Sequence, residues 1–448
     1  MKKAILLGAA FSVAMVLGLS NFVSAAEAPN ISFRSKEQGQ DRENVCYFVT
    51  SYTDATATEC DENIGSYDNN NNKLTLKTEI NDKNGMVAVE GANDLTVTSN
   101  GDIETSLRIS GEETNLTLDF GDYSFTDKAY RVERTQGNFD TYYSDLKGNL
   151  VIKSGKIKNT MINGVASLTI NGGTIEIDSE NVGFSGFCIS SDKNIDVFGG
   201  KIVLSNCNRA FSSDNGDINI SGGEIEATNV KGVGFWLPKG NLTIDGGKIN
   251  LASVKSNQDK NNGVSENNGV RVGSDSGDKK FIINGGELTV DGFSWGISAN
   301  NSKIYFNGGV TTVKNSLAQS VWITLAKDPE NDIVFGEGMG IVEKAAYVFW
   351  DDSTSTPNTG IVDDGIVTIK EGYTYRRHYG YEENDGDTDG DSNDGSTPKV
   401  PDTGVFSGED GGVMMIAISL GTLTAVMGGI YIVAYVAKRK KSSVKFNR

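Results

Sequence analysis

One histidine and six prolines in 448 residues leave this chain short of the groups that usually carry chemistry or interrupt structure. With a single imidazole, a Ser-His-Asp or Cys-His triad has almost nothing to work with, and neither does zinc held by several histidines. Basic charge is also in deficit: 41 Lys and Arg face 59 Asp and Glu, a formal net charge of −18. A nucleic-acid surface needs a basic footprint, so that class of partner is disfavoured. Hydrophobic residues reach only 37%, and glycine, at 54 residues, has taken their place. No strict triplet accompanies the glycine, which excludes collagen. Aliphatic and β-branched residues recur in ordered places, which argues against general disorder.

Both ends read as addresses. Lys2 and Lys3 precede an apolar run from Ala4 to Leu19, followed by Val23-Ser24-Ala25-Ala26. A basic start, an apolar core and small residues at a cleavage site describe a secretory signal peptide over 1–26. A second apolar run, 413–437, is long enough to span a bilayer, and the basic tail 438–448 holds its far flank on the cytoplasmic side. Before it stands Val400-Pro401-Asp402-Thr403-Gly404. This pentapeptide with its span and tail resembles the sorting signal of Gram-positive cell-wall proteins, with Val400 where the family has leucine. The resemblance implies cleavage between Thr403 and Gly404 by a sortase and transfer of the Thr403 carboxyl to peptidoglycan. The alternative is a retained single-pass anchor. Either way, the body lies on the extracellular face of a Gram-positive-type envelope.

The segment 382–402 is acidic and rich in Gly, Ser, Thr and Asn, the composition of an extended disordered stalk. Asp385, Asp387, Asp389 and Gly390 imitate the start of a calcium loop, but the twelfth position is Ser396 instead of Glu. A solvated stalk is the better reading; structural calcium has no further support, and no cofactor is expected.

The body repeats itself. The phrase Leu168-Thr-Ile-Asn-Gly-Gly-Thr-Ile-Glu-Ile177 returns starting at Ile195, Ile218, Leu242, Phe281 and Ile304, at intervals of 27, 23, 24, 39 and 23 residues. Weaker copies begin at Leu95, Leu116, Leu150 and Val367. Alternation of apolar and polar residues on both sides of a Gly-Gly pair calls for two short strands and a sharp corner. A third short strand precedes most phrases, as in Phe187-Cys-Ile-Ser190 and Trp295-Gly-Ile-Ser298. This pattern resembles the right-handed parallel β-helix, the pectate-lyase-like solenoid: an all-β fold of about 23 residues and three strands per coil, expected over 73–381 behind a cap segment, 27–72. Stacking the copies puts Thr174, Lys201, Glu224, Lys248, Glu287 and Val310 in one outward column, largely alternating in sign. Ile175, Ile202, Ile225, Ile249 and Leu288 form the inward column beside it.

Hydrolases on this fold carry a Gly-His-Gly motif, which is absent; His378 lies away from the coils. Asp351-Asp352 and Asp363-Asp364 are paired carboxylates in Thr-, Asn- and Gly-rich loops, read as solvated turns. In the third strand, aligning Ile189, Phe211, Leu237, Val272, Ile297 and Ile323 as inward residues turns Cys188, Ala210, Trp236, Arg271, Gly296 and Trp322 outward. Indole faces suit the apolar face of a pyranose, and a guanidinium suits a carboxylate or phosphate. Trp236, Arg271 and Trp322 therefore form a candidate glycan-binding strip, unless loops such as 251–268 cover it. Cys46 and Cys60 are placed to staple the cap by a disulfide. Cys188 and Cys207 fall in neighbouring coils without sharing a column, and both a bridge and buried thiols remain open.

Three functions fit: a surface protein binding glycans or a host surface, a lyase acting on acidic polysaccharide, or a structural surface-layer component.

Overall fold

The computed structural model describes residues 30–35, 44–49 and 58–379, apart from 83–84, 92–93, 111–113, 129, 136–137, 143, 183–185, 255–266, 275–276 and 353–354. The signal peptide 1–26, the stalk 382–402, the sorting motif 400–404, the span 413–437 and the tail 438–448 lie outside the described residues. Within them, no helix is long and apolar enough to cross a membrane.

The protein is all-β; two short helical turns, Thr78–Asp82 and Ser179–Val182, interrupt the strands. The repeated phrase makes the framework. Its first half gives a parallel ladder that includes Ser167–Ile170, Ile195–Val197, Ile218–Ile220, Leu242–Ile244, Lys280–Ile283 and Lys303–Phe306. Its second half gives another, Thr174–Asp178, Lys201–Ser205, Glu224–Val230, Lys248–Ser253, Glu287–Asp291 and Val310–Lys314. The third set forms a ten-stranded sheet that includes Phe187–Ser191, Arg209–Ser213, Val233–Leu237, Asn268–Val272, Trp295–Asn300 and Gln319–Thr324.

Register follows the chemistry of the columns. Ile175 pairs with Ile202, Ile225, Ile249 and Leu288 in turn, and all five are buried. Enclosing each such side chain contributes about 1.5–3 kcal/mol, and a shift of one residue would turn the whole column to solvent. The neighbouring column pairs Thr174, Lys201, Glu224, Lys248, Glu287 and Val310. Lys201 Nζ lies 3.5 Å from a Glu224 carboxylate oxygen; as an exposed pair it contributes at most about 1 kcal/mol.

The Gly-Gly corner is a steric requirement. Gly247 has φ +85°, and a Cβ there would sit 2.8 Å from the Gly223 carbonyl oxygen on the rung below. A Cβ on Gly246 would meet the Ser221 carbonyl oxygen at 2.6 Å. One glycine is thus needed for its angle and both for close stacking. Beside the corner, Asn284 Nδ2 donates to Asp245 at 2.7 Å and Asn307 Nδ2 to Asn284 at 2.9 Å, so the polar turn stacks in register too.

Antiparallel strands close both ends. Asn30–Ser35 lies antiparallel to Asn44–Val49, the edge strand of a five-stranded sheet, and on its other side to Gly85–Glu90. At the other end, Asn358–Val362 runs antiparallel to Gln319–Thr324. Leu95, Leu116 and Leu150 stack in register with Leu168 as the repeat requires. Val367 does not: its strand, Ile366–Glu371, runs antiparallel to Val310–Lys314 and Met339–Ile341, so it ends the parallel stack instead of extending it. Alternation alone carries no strand direction, which is why that copy misleads.

Both cysteine pairs are disulfides. Cys46 is bonded to Cys60 across a separation of 14 residues, and both are partly buried. Cys188 is bonded to Cys207, and both are buried.

Three substitutions test this framework by thermal unfolding. Gly247→Ala is expected to cost roughly 2–4 kcal/mol through αL strain and backbone collision. Ile225→Ala is expected to cost about 2–5 kcal/mol through its cavity, whereas Lys248→Ala should stay within about 0.5 kcal/mol. A mild thiol applied to the native protein, followed by alkylation and mass spectrometry, should label Cys46 and Cys60 and spare Cys188 and Cys207, since exchange needs access. Labelling of all four under those conditions would show that the inner bridge is accessible.

Candidate functional site

The third-strand sheet departs from simple alternation. At its second and third positions two consecutive residues are enclosed, a small one and then a large one. Cys188, Ala210 and Ser320 are buried at the small position, and Gly234, Gly269 and Gly296 share it. A Cβ on Gly269 would lie 2.2 Å from a Val290 methyl, and one on Gly296 2.2 Å from a Val313 methyl. The second ladder's aliphatic side chains therefore fill the space against this sheet, and only small residues fit opposite them.

This corrects the expected column. Cys188, Ala210 and Gly296 point inward, not outward. Ile189 and Phe211 pair on through Phe235, Val270, Ile297 and Val321. Leu237, Val272 and Ile323 belong to a separate buried column two residues further on. Trp236, Arg271 and Trp322 lie between the two enclosed columns and do face outward, two residues beyond the small position that Cys188, Ala210 and Gly296 hold. Trp236 pairs with Arg271, Arg271 with Ser298, and Ser298 with Trp322. All three expected strip residues therefore stand in one true column, and each is half-buried. Residues 255–266, part of the loop that could cover them, lie outside the described residues.

The structure enlarges the strip. Arg209 lays its guanidinium over the Phe187 ring at 4.5 Å and over Trp236 at 4.3 Å. Arg271 lies over Trp236 at 4.6 Å. The indole is thus flanked by cations, an arrangement that fixes flexible arginines by cation–π attraction. Further along, Trp295 and Trp322 approach to 5.6 Å between ring centroids, and Trp322 and Phe349 to 5.7 Å. Between the last two strands the column holds Gly360, and a Cβ there would lie 2.9 Å from Phe349 and 3.2 Å from Trp322. The missing side chain is what lets the rings meet. Between the halves, Ser298 Oγ donates to Asn268 Oδ1 at 2.7 Å, a polar interval in the strip.

Phe187, Arg209, Trp295 and Phe349 escaped the sequence reading. Phe187 and Trp295 occupy the first strand position, three residues before the central one; the first position is partly exposed at these two but enclosed at Val233 and Asn268. Arg209 shares that position but carries no aromatic signal, and Phe349 comes from an antiparallel strand outside the repeat.

Elsewhere, the ionisable groups do not converge. Among the described residues no group of three or more His, Cys, Asp or Glu is placed to hold a metal ion. His378 packs edge-on against Tyr347 at 4.5 Å, on a strand at the C-terminal edge. Asp363, expected as a solvated turn residue, is half-buried and accepts the Gly365 backbone N–H at 2.9 Å. Burial pushes its pKa up, and the nearby Asp364 and Glu343 carboxylates add to the effect.

Residues 145–320 match a family model described as "Carbohydrate-binding domain-containing protein". The match supports a glycan-binding role. It takes in Phe187, Arg209, Trp236, Arg271 and Trp295, and it ends just before Trp322. No curated protein and no solved structure matches the chain.

Asp363 gives a signed pH test. A carboxyl whose folded pKa is raised favours the fold while protonated, and that contribution is lost as pH rises through the folded value. Asp363→Asn keeps the acceptor for Gly365 and removes the charge. Its melting temperature should exceed the wild type's at neutral pH by about 1–3 °C, with the gap closing as pH falls into the ordinary carboxylate range. A gap that widens toward acid would reverse the assignment.

Proposed function

We propose that this is an envelope-anchored glycan-binding protein that presents its aromatic and arginine strip on the flank of a rigid solenoid. The observation that carries the reading is the in-register column of Trp236, Arg271 and Trp322, half-buried on one sheet, with the carbohydrate-binding match over most of the strip. Half-buried indoles are fixed by their neighbours and keep part of the ring exposed for the apolar surface of a sugar. The guanidiniums flanking Trp236 supply donors for ring hydroxyls or carboxylates.

The body is a right-handed parallel β-helix of about 23 residues and three strands per coil. The register steps from Leu168 to Ile195, Ile218 and Leu242 support that geometry. A solenoid suits this role because its stability comes from neighbouring rungs, which leaves the outward positions free to bind. The signal peptide 1–26, the acidic stalk 382–402 and the sorting motif Val400–Gly404 with its span put the body on the extracellular face of a Gram-positive-type envelope. It is joined there to peptidoglycan through Thr403 by a sortase, or retained through residues 413–437.

Glycan-array binding by the full-length protein tests the function. The Trp236→Ala, Trp322→Ala double variant should lose about 30-fold or more in affinity for any glycan the wild type binds, as loss of central aromatic anchors does. Lys201→Ala, on a different ladder, should bind normally. Equal binding by the double variant and the wild type would remove the strip from the function.

A further inference from the structure

The strip has a shape as well as a composition. It begins at Phe187 and ends at Phe349, following the ten-stranded sheet strand by strand. At about 4.8 Å per strand spacing, the path is on the order of 33 Å long. Across, it is only as wide as two positions three residues apart on one strand, about 10 Å. The long direction is perpendicular to the strands.

Its halves differ in chemistry. From Phe187 through Arg209 and Trp236 to Arg271, ring and guanidinium alternate on successive strands at 4.3–4.6 Å. Trp295, Trp322 and Phe349 continue as rings alone at 5.6–5.7 Å. The join, at Ser298 and Asn268, is polar and short-chained in the column between Arg271 and Trp322. Gly360 keeps the far end continuous.

We infer that the strip is a single track for one extended, unbranched glycan strand lying perpendicular to the β-strands, and not a site for a terminal sugar. The inference rests on the glycan-binding reading above. A pyranose in an extended chain advances by about one strand spacing, roughly 5 Å, so ring after ring meets rung after rung. A terminal-sugar site would enclose one ring among convergent polar groups; here the recognition groups are spread along a line. Each subsite contributes modestly, and affinity accumulates along the chain. The Arg-flanked half orients the strand through directed hydrogen bonds, while the all-aromatic half accepts any ring with an apolar face.

The test is a chain-length series. Linear β-1,4-linked glucose, mannose, xylose and N-acetylglucosamine oligosaccharides and linear β-1,3-linked glucose oligosaccharides, each from two to eight units, are titrated into the full-length protein by calorimetry. For whichever series binds, affinity should rise about a hundredfold or more from the dimer and level off near six or seven units. Arg209→Ala and Phe349→Ala, one near each end, should each lower heptamer affinity about three- to tenfold while changing dimer affinity less than twofold. Circular dichroism melts of both variants confirm that the fold is retained. A plateau already reached at two or three units, or end variants without effect on the heptamer, would overturn the track and leave glycan binding standing. Binding of no series at any length would overturn the glycan reading, and the track with it.

Discussion

Stacking of like on like at one strand spacing is the constraint on which the other features depend. Each inward position sits directly over its counterpart on the next rung, so the core is a set of columns and not a shared interior. Ile175, Ile202, Ile225 and Ile249 satisfy this by near-identity. Branched aliphatics of one size pack on one another without gaps, and the parallel ladder needs every member to hold the same register. The corner glycines follow from the same spacing, because a rung-to-rung distance near 4.8 Å leaves no room for a Cβ where backbone lies over backbone. The antiparallel strands at both ends follow as well. An exposed parallel edge would offer an open template for association, and reversing the chain direction there ends the repeat.

The same stacking makes the outward surface into lines. A residue that faces out on one rung has a neighbour at the same position on the next, so single substitutions accumulate into strips without disturbing the core. On the second ladder this yields a charge column, Lys201, Glu224, Lys248 and Glu287. On the third it yields indoles and guanidiniums. The interior differs between the two: opposite the third sheet the small column of Cys188, Ala210, Gly234, Gly269 and Gly296 lets Leu251, Val290 and Val313 reach across. The sheet that bears the strip is thus backed closely by aliphatic side chains, and the buried Cys188–Cys207 bridge ties its Phe187–Ser191 strand to the entry of the next. Rigidity beneath half-buried aromatics limits the entropy lost when a ligand settles on them.

How much of this was legible depended on whether a column carried an internal check. In the second ladder the Gly-Gly pair marks position, and the charge and aliphatic columns confirm each other, so the register could be read directly. The third strand has no such marker. Its consecutive enclosed residues, Cys188 then Ile189, break the period of two, and the alignment slipped between Phe211 and Leu237. Trp236, Arg271 and Trp322 survived because Leu237, Val272 and Ile323, aligned as inward, are indeed enclosed, in a second column of their own. Phe187 and Trp295 were in view but three residues before the central column, and Phe349 could not be found from a repeat to which it does not belong. The Cys188–Cys207 bond was open in sequence because neither residue aligns with the other; the disulfide joins a strand to a corner instead of joining equivalent positions.

The central claim is that the sheet carrying Trp236, Arg271 and Trp322 is the ligand surface. The most direct measurement is a crystal structure of the full-length protein with a bound oligosaccharide from a series that binds. Sugar rings should lie against the exposed parts of Trp236 and Trp322, with the strand running from rung to rung past Arg271. Sugar bound instead on the Lys201–Glu287 ladder, or at either end of the stack, with the indoles unoccupied, would contradict it.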